Sequence, residues 1–176
     1  IVHADLFEYT SLEEQLKGFH ACFFCLGVSS AGMTEAAYER ITYGITLAAA
    51  ETLARLNPQM VFIYISGAGT DSSEQGKVMW ARIKGKTENA LLLLPFRAVY
   101  LFRPGIIRPR YGARSKTPLY RWFYILTSPL LALLQRVFPN FVLDTSQIGL
   151  AMLAAVRRGA PRPVLESADI HALAGS

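Results

Sequence analysis

The sequence predicts an α/β fold built on a doubly wound parallel sheet, and three observations carry that reading. Short apolar runs at 21–26, 60–66 and 98–102 alternate with longer amphipathic segments of helical period. The runs are continuously apolar rather than alternating, as parallel strands covered on both faces are. The segments between them are long enough for the helical crossovers that parallel strands require.

In order along the chain, Thr10 to Gly18 reads as a short helix with Ser11 as a candidate cap and Leu12 and Leu16 on one face. Ala21 to Leu26 is the first apolar strand, followed by a small-residue loop from Gly27 to Met33. Thr34 is placed to cap a helix reaching Leu56, with Ala37, Ile41, Ile45, Ala48, Thr52 and Leu56 as its core stripe, and Asn57-Pro58 stops it. Met60 to Ser66 is the second strand, ending in Gly67-Ala68-Gly69 and a polar loop to Gly76. A helix from about Lys77 to Leu94 follows, with Met79, Ile83, Thr87, Ala90 and Leu94 facing inward. The third strand, Ala98 to Phe102, ends at Arg103-Pro104-Gly105. A basic, aromatic segment precedes a helix from Ser146 to Arg158 closed by Gly159, a short strand at Val164-Leu165-Glu166 and a last helical turn from Ala168 to Leu173.

With 176 residues, 52 % apolar and 18 % charged, the chain fits one folded domain. No apolar run reaches the ~20 residues of a membrane-spanning helix. The net charge of +5 is concentrated between Asn89 and Leu143, which hold eight basic residues and no Asp or Glu. That stretch is read either as attraction to phosphate or as a solvated basic face; no nucleic-acid-binding module accompanies it. Leu119 to Phe138, rich in aromatic residues, reads as a lid or subunit contact, with membrane-surface contact the less favoured option.

Cys22 and Cys25 are the only cysteines. Residues three apart on a strand point to opposite faces, so they are expected to be buried, reduced core thiols in a cytoplasmic protein. His3, His20 and His171 show no metal-ligand spacing, and no metal site is expected. Ile1-Val2-His3-Ala4-Asp5 reads as the end of a strand already under way, without a signal peptide's basic start. Gly67-Ala68-Gly69 does not extend into a G-x-G-x-x-G fingerprint, and Gly27 to Gly32 lacks the Lys-Ser/Thr of a phosphate-binding loop.

In parallel sheets ligands bind beyond the carboxyl ends of the strands. At or near those ends stand Asp5-Leu6, Leu26-Gly27, Ser66 and Pro104-Gly105, with Lys84 on the helix after the second strand. In these residues and their separations the chain resembles, from residue 1 to about 174, the atypical short-chain dehydrogenase/reductase superfamily, in its NAD-dependent epimerase/dehydratase-like branch. The resemblance implies a Rossmann-type sheet that is N-terminally incomplete. Roughly 40 to 60 residues, including the glycine-rich turn, would precede Ile1.

It also implies NAD or NADP as cofactor and a small-molecule substrate, with a homodimer possible. Asp5 and Leu6 would border the adenine, Leu26 and Gly27 the ribose, and Pro104 and Gly105 the nicotinamide. Ser66 matches the catalytic Ser, and Lys84 the Lys of Tyr-x-x-x-Lys, which orients the cofactor. The single segment 1–176 would be one nucleotide-binding domain, with 106–145 as its variable substrate-side segment.

Within that pattern Trp80 stands where the family's Tyr would be. An indole N–H donates a hydrogen bond but does not titrate near neutrality. The stripe Trp80, Lys84, Glu88 reads either as cofactor side with Ser66 near the substrate, or as a surface Lys–Glu pair over a packed Trp. The activity expected is reductase- or epimerase-like; the alternative is a non-catalytic nucleotide-binding regulatory protein. Dinucleotide binding is expected to need the missing turn, and the unpaired first strand to favour association.

Overall fold

The computed structural model describes residues 5–110 and 141–176. The expectations placed on the aromatic segment Leu119 to Phe138, on the basic residues between 111 and 140, and on Ile1 to Ala4 with His3 among them lie outside those residues. Two compact units divide the chain, Ile1–Leu101 and Phe102–Ser176.

The first unit opens with a tight turn at Thr10–Leu12 that runs into helix α1 (Glu13–Leu16). No side chain caps either start, so Ser11 is not the cap the sequence suggests. Strand β1 (Ala21–Phe24) follows, then helix α2 (Glu35–Glu39), which Thr34 caps by accepting from the Ala37 amide at 3.3 Å. Helix α3 (Thr46–Leu56) continues the same axis after a wider i→i+5 segment at Arg40–Ile45.

That segment explains why the expected core stripe is displaced by one position. Tyr38, Thr42, Thr46 and Ala50, four apart, form a buried row, and Ile45 of the expected stripe is buried beside it. On a straight α-helix residues four apart drift by about 40° per step, and the wide turns absorb the drift. The assumption of constant pitch selected Ala37 and Ile41 instead, which are exposed and half-buried.

Asn57 ends α3 and ties it to the preceding loop. Its Nδ2 donates to the Leu16 carbonyl at 2.8 Å, and its Oδ1 accepts from the Phe19 amide at 3.1 Å. Strand β2 (Val61–Ile65) is the buried centre of this unit: Val61, Phe62, Ile63 and Tyr64 are each at most 1 % exposed. Each such apolar side chain contributes about 2 kcal/mol. Helix α4 (Met79–Leu92) and strand β3 (Ala98–Arg103) complete the series.

β1 and β2 are parallel, in the register Ala21↔Val61 to Phe24↔Tyr64, so both strands end at the same edge. β1 is only half-covered, with Phe23 41 % exposed. The cysteines are accordingly not the core pair expected. Cys22 is half-buried, its thiol pushed up to about 12 by burial and then by Cys25, whereas Cys25 lies past the strand and is exposed.

The second unit holds strands β4 (Ile106–Arg108) and β5 (Val142–Asp144), helix α5 (Thr145–Arg158), strand β6 (Val164–Glu166) and helix α6 (Ser167–Ala174). β4 and β5 pair in parallel, an element the sequence reading did not anticipate. Asp144 and Gln147 form a reciprocal cap at the start of α5, and Gly159 ends it with φ 80°. The strands of the central sheet lie in the order β1-β2-β3-β6, mostly parallel, as expected for an α/β fold.

Candidate functional site at the carboxyl end of the second strand

Helix α4 presents four stripes, each with its own task. Ile83, Thr87 and Leu91 are 3 % exposed or less and face the core. Arg82 and Lys86 face α2: the Arg82 guanidinium reaches both oxygens of Glu35 at 2.8 Å, and Lys86 meets Glu39 at 2.6 Å.

Ala81, Gly85 and Asn89 hold the polar loop after β2. The Asp71 amide donates to the Ala81 carbonyl at 3.1 Å, and Asn89 Nδ2 donates to the Ser72 carbonyl at 3.0 Å and to Glu74 at 2.7 Å. Between them the Asp71 carbonyl lies so close to Gly85 that any Cβ there would collide with it. Asp71 also ties the loop to itself, accepting from the Ser73 hydroxyl at 2.6 Å and the Gly76 amide at 2.7 Å. The loop is therefore built onto the helix along its whole length.

Trp80, Lys84 and Glu88 form the fourth stripe and meet the end of β2. Gly67 and Gly69 turn the chain there with φ 134° and 84°, values that L side chains rarely adopt. Trp80 covers the turn, its ring 3.6 Å from where a Cβ on Gly69 would sit. Lys84 Nζ donates to the Ser66 carbonyl. Glu88, 1 % exposed, accepts from the Ser66 hydroxyl at 2.5 Å. The alternative reading of Lys84 and Glu88 as a surface pair is thus corrected: the carboxylate points inward, beneath the strand end.

Burial lowers the pKa of Lys84, and the Glu88 charge opposes that shift. Tyr64, directly before this corner on β2, has its phenol raised, by burial first and then by Tyr38 and Glu88. It is no replacement for a titrating Tyr at position 80. Glu88 is the site residue that sequence reasoning passed over, although its spacing from Lys84 and Trp80 placed it on the same stripe.

The other expected residues are placed less tightly. Leu26 and Gly27 follow β1, at the same edge of the sheet as the Ser66 corner; Leu26 is 45 % exposed and Gly27 has open space around it. Asp5 is exposed and accepts from the Phe7 amide at 2.8 Å, and Leu6 beside it is exposed. Pro104 and Gly105 belong to the second unit. Gly105 N donates to Ser167 Oγ at 2.8 Å, and a Cβ there would come within 3.0 Å of the Phe141 carbonyl, so close packing alone accounts for that glycine. Among the described residues no group of three or more His, Cys, Asp or Glu could hold a metal.

No family model matches the chain. It is similar to Protein FMP52-2, mitochondrial, of Scheffersomyces stipitis, with 34 % identity over 107 residues, which is 60 % of this chain and 44 % of the relative. The match thus spans less than half of that relative's length. The relative is by name a mitochondrial protein, and the cytoplasmic setting expected from the sequence is withdrawn. Reduced cysteines distinguish reducing from oxidising compartments, not one reducing compartment from another.

Proposed function

We propose that this chain is part of a Rossmann-type NAD(P)-binding protein, similar to the epimerase/dehydratase-like branch of the short-chain dehydrogenase/reductases, with a small organic molecule as its substrate. The observation that carries the reading is the corner after β2, where Lys84 from the following helix reaches back to Ser66. Lys84 would donate to the ribose hydroxyls, Leu26 and Gly27 would line the cofactor along the neighbouring strand end, and Asp5 and Leu6 would border the adenine. The relative's name favours a mitochondrial setting.

Trp80 favours a second reading, a nucleotide-binding protein without hydride transfer, because an indole cannot exchange the proton a phenol would. Titration with NADH and NADPH, followed by energy transfer from tryptophan to the reduced nicotinamide, tests the first reading. Saturable binding that Lys84→Ala weakens about tenfold or more, the value of a lost charged hydrogen bond, is expected. Absence of binding to the full-length protein would overturn it. Turnover that appears only in Trp80→Tyr would decide for the second reading.

A further inference from the structure

We propose that Glu88 is the positioning residue of this corner, the carboxylate that fixes the Ser66 hydroxyl and sets a negative charge one helical turn from Lys84. The inference rests on the dinucleotide reading above and adds a residue to it. Glu88 sits one helical turn after Lys84 and is almost wholly buried, with its Oε1 2.5 Å from Ser66 Oγ. A carboxylate in such a place is kept by its partners, because an unpaired buried charge is costly.

Lys84 donates to the carbonyl of the same Ser66 whose hydroxyl Glu88 receives. One serine is therefore held at its backbone by the cation and at its side chain by the anion. Among the described residues, Lys84 on α4 and Tyr64 on β2 are titratable groups that act on or feel the carboxylate, with Tyr38 beyond Tyr64. Of these described groups Lys84 is the one that offers a positive charge. Burial pulls the Lys84 amine towards neutrality, and Glu88 is the group that opposes it. A neutral amine would lose the charge that makes it a strong donor to a ligand hydroxyl.

The test is competitive acetylation of the full chain with acetic anhydride near neutrality, reading Lys84 by mass spectrometry against the exposed Lys77 as internal reference. Glu88→Gln keeps the shape and an acceptor for Ser66 but removes the charge. The expected result is a cooperatively folded variant in which Lys84 labels severalfold faster relative to Lys77 than in the parent. An unchanged ratio in the folded variant would overturn the proposal.

If Glu88→Gln does not fold, the same labelling of the unaltered chain across pH decides. A Lys84 that reaches its full labelling rate only in alkaline medium supports the pair, whereas one that already labels at its full rate in neutral medium contradicts it. NADPH titration run in parallel separates the two readings. Binding with unaltered labelling ratios removes the role of Glu88 alone, and charge-dependent labelling without binding removes the dinucleotide reading alone.

Discussion

Two loops leave neighbouring parallel strands at the same edge of the sheet, and they are built in opposite ways. The loop after β1 is open: Leu26 and Val28 are 45 % and 39 % exposed, and its bonds are local, such as Met33 N to the Ser30 carbonyl at 3.1 Å. The loop after β2 is locked against α4 by Asp71, Ser72 and Glu74 and at its start by Ser66. One half of the proposed site is thus organised before any ligand arrives, and the other half is left for a ligand to order. Preorganisation belongs where groups must be aimed; an open strand end suits a broad, shape-tolerant contact.

Substitutions break the comparison from its strong side first. Glu88→Ala leaves Lys84 and the Ser66 hydroxyl without their carboxylate and is expected to cost about 3 kcal/mol, read as a lower denaturation midpoint. Gly85→Ala forces the Asp71 carbonyl off the helix, an overpacking that costs about 2 kcal/mol and loosens residues 70–76 with it. Asn89→Ala removes two bonds from the same loop and should cost about 1 kcal/mol. At the other strand end Gly27→Ala, with open space and no positive φ, stays within about 0.5 kcal/mol of the parent in the same melt. A Gly27→Ala variant as damaged as Gly85→Ala would erase the distinction.

The cysteines sharpen the contrast by chemistry instead of stability. Thiolate is the reactive form. Burial holds the Cys22 thiol at about 12, so it is almost wholly protonated at neutral pH and gains thiolate only as the medium becomes strongly alkaline. Cys25 is raised as well, but it is exposed past the strand end. A disulfide reagent at about pH 8 should therefore modify Cys25 at least tenfold faster than Cys22. Equal rates would mean that β1 is not covered as described.

The elements themselves were legible because each carries a strong local signal. The unbroken apolar run of β2, Thr34 before α2, Asn57-Pro58 after α3 and Gly159 after α5 all mark boundaries close to where the structure places them. What the sequence could not give is geometry set by tertiary contact. The wide turns at Arg40–Ile45 leave no sequence signature, so the core stripe there, Ile45 apart, was read one residue away. β4 and β5 are three residues each and pair across a long separation, below the length at which periodicity speaks. Gly85 looked like an ordinary helix glycine until the Asp71 carbonyl beside it was seen.

Ser66 and Lys84 were singled out by the family resemblance and prove to be neighbours. Glu88 was read from its type as well as its position: a Glu four residues after a Lys on a helix is usually a solvated partner. Only the strand end above it shows that this one is buried.

Hydrogen exchange with mass spectrometry, with and without saturating NADPH, tests the contrast between the two loops most directly. The account predicts that residues 66–76 are protected in the free chain and change little, while 25–32 exchange fast until the dinucleotide is bound and then slow markedly. Fast exchange at 66–76 in the free chain, or no protection gained at 25–32 with NADPH bound, would contradict it.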